Sequence, residues 1–164
     1  PPYLSRYDYA RTNDPIETVY RHWDGPSASS IRDSQVRANP RRRDGGESNG
    51  PLHPAAAEAR DVLTVTGHRQ QAQAVLDYFT DMRAVLAGAH RVLSTDGTAW
   101  LVIGGVRLKE IYVPTDLIIA DMAHEAGLSV EAIRVARELN PIRRKFGSAG
   151  HLAPRESLIT LRKT

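Results

Sequence analysis

The most regular hydrophobic pattern in the chain lies between Arg69 and Leu93. Its apolar side chains return every three or four residues, as one face of an amphipathic helix requires. They are Ala72, Val75, Leu76, Phe79, Met82, Val85, Leu86, Ala89, Val92 and Leu93. The pattern predicts one long helix whose apolar face packs on the core.

A short apolar run follows this helix. Ser94 to Gly97 has turn chemistry, and Thr98 to Gly104 reads Thr-Ala-Trp-Leu-Val-Ile-Gly. A β-rich run of this length is typical of a buried strand. Helix, glycine turn and strand in this order predict the αβ unit of a parallel sheet.

The last third of the chain predicts a second αβ unit and a final strand. Val113 to Asp116 introduces an amphipathic helix that runs through Ala126 and ends at Gly127. The stretch from Ser129 to Leu139 has β-branched residues that favour a strand, and Ala, Glu and Arg that favour a helix. We favour the strand, since a second αβ unit would follow naturally. Glu156 to Arg162 alternates as a strand does.

The first third of the chain has weaker periodicity. Asp14 to Trp23 predicts a short helix, because an N-cap residue type, a proline and a glutamate follow one another at capping-box spacing. Residues 24–54 are rich in Gly, Pro, Ser, Asn and Arg and predict an exposed, mobile insertion. A short helix within residues 29–37 and a turn or helix over residues 54–63 are further predictions.

Composition narrows the function only slightly. With 164 residues, 41% apolar and 25% charged, the chain has the size and composition of one globular unit or a large piece of one. It has no Cys, so disulfides, Cys-ligated zinc and thiol nucleophiles are excluded. Its six His have no metal-ligand spacing, so we expect no metal.

Charge and hydropathy give two weak expectations. The net charge of +3 is a mild excess that would help the chain approach a polyanion. No apolar run approaches the roughly 18 to 20 residues that cross a bilayer, so we expect a cytoplasmic protein without a membrane partner. The chain opens on Pro-Pro rather than Met, which suggests a fragment boundary.

The opening residues carry the most specific signal. Taken alone, Pro1-Pro2-Tyr3 predicts a rigid polyproline lead-in with a packed tyrosine. With its continuation Leu-Ser-Arg-Tyr-Asp-Tyr, it resembles the catalytic motif of the DNA amino-methyltransferases that act on N4 of cytosine or N6 of adenine. In that family a Ser or Asp precedes Pro-Pro-Tyr, and this acceptor residue is missing here.

Later landmarks stand in the order that this family implies. They correspond to the helix after the motif, the turn where the family has Pro-Gly, the fifth strand, the next helix and the closing strand. In this chain they are Asp77 to Arg83 with His90 to Leu93, Asp96-Gly97, Ala99 to Gly104, Val113 to Ile118, and Glu156 to Lys163. Together they cover nearly the whole chain apart from the insertion.

The resemblance implies a fold and an activity. The fold is α/β, the C-terminal half of a Rossmann-like methyltransferase sheet, so residues 1–164 would form a partial catalytic domain. The S-adenosyl-L-methionine site would lie mainly in a missing N-terminal half upstream, since no strand followed by Gly-x-Gly is present. Gly104-Gly105 follows the fifth strand, and we interpret it as a strand end. The substrate would be double-stranded DNA with a flipped target base, N4 of cytosine being favoured over N6 of adenine.

The resemblance also implies roles for particular residues. The catalytic set would be Pro1, Pro2 and Tyr3: the Pro1 carbonyl would accept a hydrogen bond from the target amine, and Tyr3 would stack on the base. The remaining candidates would contact nucleic acid, and they are Arg6, Tyr7, Arg41, Arg42, Arg43, Arg143, Arg144 and Lys145. Arg37 belongs to the same basic cluster of the insertion, for which a solvated linker is the alternative.

Two other functions stay open at this point. One is an RNA or tRNA amino-methyltransferase, since the same catalytic motif serves both polymers. The other is a non-catalytic basic module that binds nucleic acid without a cofactor. The identity of the methylated polymer distinguishes a DNA methyltransferase from the first alternative. Dependence on the cofactor distinguishes a methyltransferase from the second.

Overall fold

The computed structural model describes residues 3–4, 36–37, 50–138 and 154–164. Within these ranges it contains three helices and five strands. The helices are α1 (Pro54–Val65), α2 (Arg69–Val92) and α3 (Thr115–Glu125). The strands are β1 (Thr98–Gly104), β2 (Val106–Leu108), β3 (Ile111–Val113), β4 (Leu128–Glu138) and β5 (Arg155–Lys163).

Helices α1 and α2 form an adjacent packed pair. Gly67, with φ of 81°, lies in the tight connection between them, where its lack of a side chain removes the cost of a positive φ. The middle of the predicted apolar stripe of α2 is buried at Phe79, Met82 and Leu86, whereas Val85 and Val92 of the same stripe are 37% and 78% exposed. The predicted long helix is therefore confirmed, and so is a helix over residues 54–63. None of the helices in the described ranges is long and apolar enough to cross a membrane.

The main sheet has the strand order β1-β5-β4. Strand β5 runs antiparallel to both neighbours, so β1 and β4 point in the same direction with β5 between them. The predicted strands are confirmed, including the ambiguous stretch that became β4. The parallel sheet is wrong for the described strands, since every hydrogen-bonded pair here is antiparallel. Hydrophobic spacing reports which face of a strand is buried, but it does not report the direction of the neighbouring strand.

A helix covers one face of this sheet. Helix α3 packs on β1, β4 and β5 and buries Ile103, Ile159 and Leu161 in the core. On the opposite face Trp100 is 67% exposed and Val102 is 42% exposed. The architecture is α/β, as predicted, with its core between the sheet and the helices.

Several predictions lie outside the described residues. They are the helix over residues 14–23, most of the insertion over residues 24–54, and the basic loop that follows β4. The predicted helix within residues 29–37 is described only at Val36 and Arg37, which belong to no helix or strand.

The central position of β5 generates a stability prediction. Ile159→Ala removes a fully buried side chain from the middle strand, and we expect it to lower the free energy of unfolding by about 2 to 5 kcal/mol. Val135→Ala changes an exposed position on β4 and is the control, with an expected change within about 0.5 kcal/mol. Urea denaturation measures both. Equal losses in the two variants would contradict this placement of the core.

Candidate functional site

Side chains from four parts of the chain meet where β1 ends and β5 begins. We call this group the strand-end cluster. It consists of Tyr3, Gly104, Gly105, Tyr112, Thr115, Asp116, Arg137, Arg155, Glu156 and Ser157. Open α/β sheets bind ligands outside the carboxyl ends of their strands. The strand-end cluster lies at this end of the sheet and is therefore the candidate site.

Tyr3 lies directly against the end of β1. A Cβ atom added at Gly104 would be 3.0 Å from Cδ2 and 3.1 Å from Cε2 of the Tyr3 ring. The next residue, Leu4, is buried in the core and fixes the backbone beside this ring. Glycine in a strand often marks the close approach of another group, and here the group is an aromatic side chain.

Gly105 makes room for a second ring. A Cβ atom at this position would be 2.7 Å from the hydroxyl oxygen of Tyr112. The Gly105 amide donates a hydrogen bond of 2.8 Å to the carbonyl of Arg155, which ties the end of β1 to the start of β5. The glycine pair lies at the end of the strand, as interpreted from the sequence. It does not form a cofactor cradle, because tyrosine rings fill the space beside both glycines.

A buried carboxylate joins α3 to β5. Asp116 is fully buried, and its Oδ2 accepts hydrogen bonds from Nε of Arg155 at 2.8 Å and from Oγ of Ser157 at 2.7 Å. Its Oδ1 has no hydrogen-bond partner among the described residues. Asp116 lies in the first turn of α3, where the helix dipole favours a negative charge. The adjacent Thr115 hydroxyl donates a hydrogen bond of 2.6 Å to the Gly104 carbonyl.

Tyr112 is affected by this carboxylate. Burial of the phenol raises its pKa above the ordinary value of 10.0, and the nearby charge of Asp116 raises it further. Arg155 and Arg107 act in the opposite direction and lower it. The Tyr112 hydroxyl therefore lies among one negative and two positive side chains and stays protonated at neutral pH.

An ion pair lies on the Tyr3 side of the sheet. Glu156 is opposite both Gly104 on β1 and Arg137 on β4. Nη2 of Arg137 donates a hydrogen bond of 2.7 Å to Oε2 of Glu156. This contact raises the pKa of the Arg137 guanidinium, and the nearby Tyr3 raises the same pKa slightly further. Since side chains of one strand alternate between faces, Tyr3, this ion pair and Trp100 lie on the same face.

Arg37 lies away from the strand-end cluster, and its guanidinium is ion-paired within the protein. Its Nε and Nη2 donate to the Asp81 carboxylate, with a shortest distance of 2.7 Å, and its Nη1 lies 3.4 Å from Oδ1 of Asp77. The guanidinium of Arg37 is held by two carboxylates of α2, and the nucleic-acid role of its basic cluster stays a prediction.

Tyr3 is the predicted site residue that falls within the described ranges. The other ten predicted residues lie outside them: Pro1, Pro2, Arg6, Tyr7, Arg41, Arg42, Arg43, Arg143, Arg144 and Lys145. Sequence reasoning missed Asp116, Tyr112 and Arg155. The signal for Asp116 was present in Pro-Thr-Asp, but that pattern also describes an ordinary helix start.

Neither a metal site nor a similarity to a known protein indicates a function for the strand-end cluster. In the part of the chain that the structure describes, no three His, Asp or Glu side chains come together as a metal site would require. In comparisons with known proteins, the chain matches no family model, no curated protein and no solved structure. A function is therefore inferred from the chain's own residues.

The contact at Gly105 predicts an asymmetry between two glycine substitutions. Gly105→Ala places a Cβ atom against the Tyr112 hydroxyl, and we expect it to destabilise the protein by about 1 to 3 kcal/mol. Gly88→Ala is the control: beyond its chain neighbours and the backbone of its own helix, no heavy atom of the described residues lies within 4 Å of the added Cβ, and alanine favours the helix by about 0.5 to 1 kcal/mol. Thermal unfolding of both variants gives the signs. Stabilisation by Gly105→Ala would contradict the close approach of the Tyr112 ring.

The raised pKa of Tyr112 predicts a change in stability at high pH. The unfolded chain loses the phenol proton near pH 10, whereas the folded chain holds it to higher pH. The stability contributed by Tyr112 is therefore present below this pH and is lost as pH rises from there toward the folded pKa.

We expect Tyr112→Phe to lose less stability than the native protein between about pH 9 and pH 11, because phenylalanine has no proton to lose. Urea midpoints across this range measure the difference. Parallel curves for the two proteins would show that Tyr112 ionises equally in the folded and unfolded states.

Proposed function

We propose that this chain is the target-base half of an S-adenosyl-L-methionine-dependent DNA amino-methyltransferase, with N4 of cytosine favoured over N6 of adenine. The observation that carries the proposal is the position of Tyr3. The tyrosine of the Pro-Pro-Tyr motif lies against Gly104 at the carboxyl end of β1. This is the end of the sheet at which α/β proteins bind their ligands.

The proposal gives each described strand a place in a Rossmann-like methyltransferase sheet. Strand β5 is the last of the chain, yet it lies between β1 and β4 and runs antiparallel to both. In the proposed methyltransferase sheet, β1 is the fifth strand and β5 is the closing strand. Helix α3 then takes the place of the helix after the fifth strand.

The chemistry explains why such a motif is needed. An exocyclic base amine is a poor nucleophile, because its lone pair is delocalised into the ring. Hydrogen bonds from the amine to an acceptor before Pro1 and to the Pro1 carbonyl would localise that lone pair on nitrogen. Tyr3 would stack on the flipped base and hold it at the strand edge. The buried Leu4 keeps this segment against the sheet, so the ring is positioned before the base arrives.

The open edge of the sheet supports the presence of a further half that binds the cofactor. Among the described strands, β1 pairs on one side with β5 and has no neighbour on the other. This edge has no charge, no proline and an unbroken register, and it exposes Trp100 and Val102. The opposite edge, β4, carries Glu131, Arg134 and two register shifts. Exposed edges are usually protected in the way β4 is, so β1 is the edge suited to further strands.

The proposal predicts a loss of turnover in a Tyr3 variant of the full-length protein. Tyr3→Ala removes a stacking contact worth about 1 to 3 kcal/mol, and we expect methyl transfer to fall by about 5- to 150-fold. Tyr3→Phe keeps the ring, and we expect it to be much faster than Tyr3→Ala.

Transfer of labelled methyl groups from S-adenosyl-L-methionine to DNA measures both variants. Circular dichroism and duplex affinity provide the controls for folding and binding. Turnover of Tyr3→Ala at the native rate would rule out the assigned role of this tyrosine.

A further inference from the structure

Arg155 is held at the strand-end cluster by one of its three guanidinium nitrogens. Its Nε donates to Oδ2 of Asp116 at 2.8 Å. Within the described ranges the Arg155 side chain makes no other hydrogen bond, and 33% of its surface is exposed. The two terminal nitrogens are therefore available to a group outside the protein.

A comparison with Arg37 shows why this differs from an ordinary structural ion pair. The guanidinium of Arg37 places Nε, Nη1 and Nη2 toward the carboxylates of Asp77 and Asp81, so its donors serve the fold. Arg155 uses only Nε for its buried carboxylate. Both arginines neutralise buried acids, but only Arg155 keeps its terminal donors out of these contacts.

The anchor on Asp116 prepares Arg155 for binding. The carboxylate is fully buried and is held from a second side by the Ser157 hydroxyl, so the Nε contact restrains the guanidinium. An arginine that is already ordered loses less conformational entropy when it binds. Its terminal nitrogens have the spacing that allows two parallel hydrogen bonds to a phosphate.

Cationic and acidic side chains both lie near Arg155. The protonated Tyr112 hydroxyl and the Arg107 side chain lie close enough to interact electrostatically with the same group of charges. The segment that leads into β5 contains Arg143, Arg144 and Lys145. Glu138 lies opposite Arg155 on β4, so the charges around Arg155 are of both signs and its terminal donors are the feature that suits an anion.

We propose that Arg155, anchored by Asp116 and Ser157, binds a backbone phosphate of the nucleic acid at the edge where Tyr3 meets the target base. The assignment rests on the proposed function for the choice of a polynucleotide as the anion. Contacts of this kind fix the register of a protein on its duplex and carry no base specificity.

The test replaces the ion pair with a neutral pair in the full-length protein. Arg155→Ala alone would leave the Asp116 carboxylate buried and unpaired, which is strongly destabilising. The double variant Asp116→Asn with Arg155→Gln keeps the net charge and substitutes two amides that can hydrogen-bond to each other. Arg162→Gln is the control, since Arg162 lies at the other end of β5 in exposed pairs with Asp96 and Glu131.

The measurement is the salt dependence of duplex binding by fluorescence anisotropy. Loss of one phosphate contact lowers the slope of log affinity against log salt by about 0.9. Between 50 mM and 200 mM salt, the double variant should then lose about three- to fourfold less affinity than the native protein. Arg162→Gln should keep the native slope. If the double variant fails to fold, Asp116→Leu with Arg155→Met also keeps the net charge, replaces the ion pair by apolar side chains and should show the same reduced slope.

An unchanged slope in the folded double variant would overturn the inference and leave Arg155 as the counter-ion of Asp116 alone. Methyl transfer by the native protein is measured in parallel. Native transfer with an unchanged slope in the variant contradicts only the role of Arg155. Absence of native transfer contradicts the proposed function, whereas a reduced slope would still identify Arg155 as a nucleic-acid contact.

Discussion

The buried carboxylate of Asp116 is the constraint on which the candidate site depends. A charge removed from water needs hydrogen-bond donors, and Asp116 finds them in Arg155 and Ser157 at the start of β5. The neighbouring Thr115 hydroxyl reaches the last carbonyl of β1. The start of α3 is thus tied to both strands at once, and these contacts fix the edge beside which Tyr3 lies.

Close approach of aromatic rings to glycine gives this edge its shape. Tyr3 and Tyr112 occupy the space where Gly104 and Gly105 lack side chains. One ring lies on the open face of the sheet and the other beside the buried carboxylate. In the proposed complex, Tyr3 on one face of this strand end orients the base, and Arg155 on the other face orients the phosphate.

Local periodicity was enough to predict most of the described elements. The limits of α2 and β1 agree with prediction within one residue, because burial of one helix face or of a short strand leaves a direct pattern in the sequence. The strand direction was not predictable in this way. The antiparallel position of β5 between β1 and β4 depends on contacts between distant parts of the chain.

The polar side chains were harder to predict for a related reason. An aspartate after Pro-Thr at a helix start has the pattern of a simple helix cap, and only the fold shows that Asp116 is buried against β5. An arginine in a polar segment has the pattern of a solvated side chain, yet Arg37 reaches two carboxylates of α2. Partners far apart in sequence determine the role of each residue.

The chemical identity of the product tests the proposed methyltransferase most directly. The full-length protein is incubated with labelled S-adenosyl-L-methionine and either DNA or RNA, and the polymer is digested to nucleosides. We expect label in DNA, in N4-methylcytosine rather than N6-methyladenine. Label confined to RNA would indicate the RNA amino-methyltransferase instead, and no transfer to either polymer by a protein that binds the cofactor would contradict the enzyme.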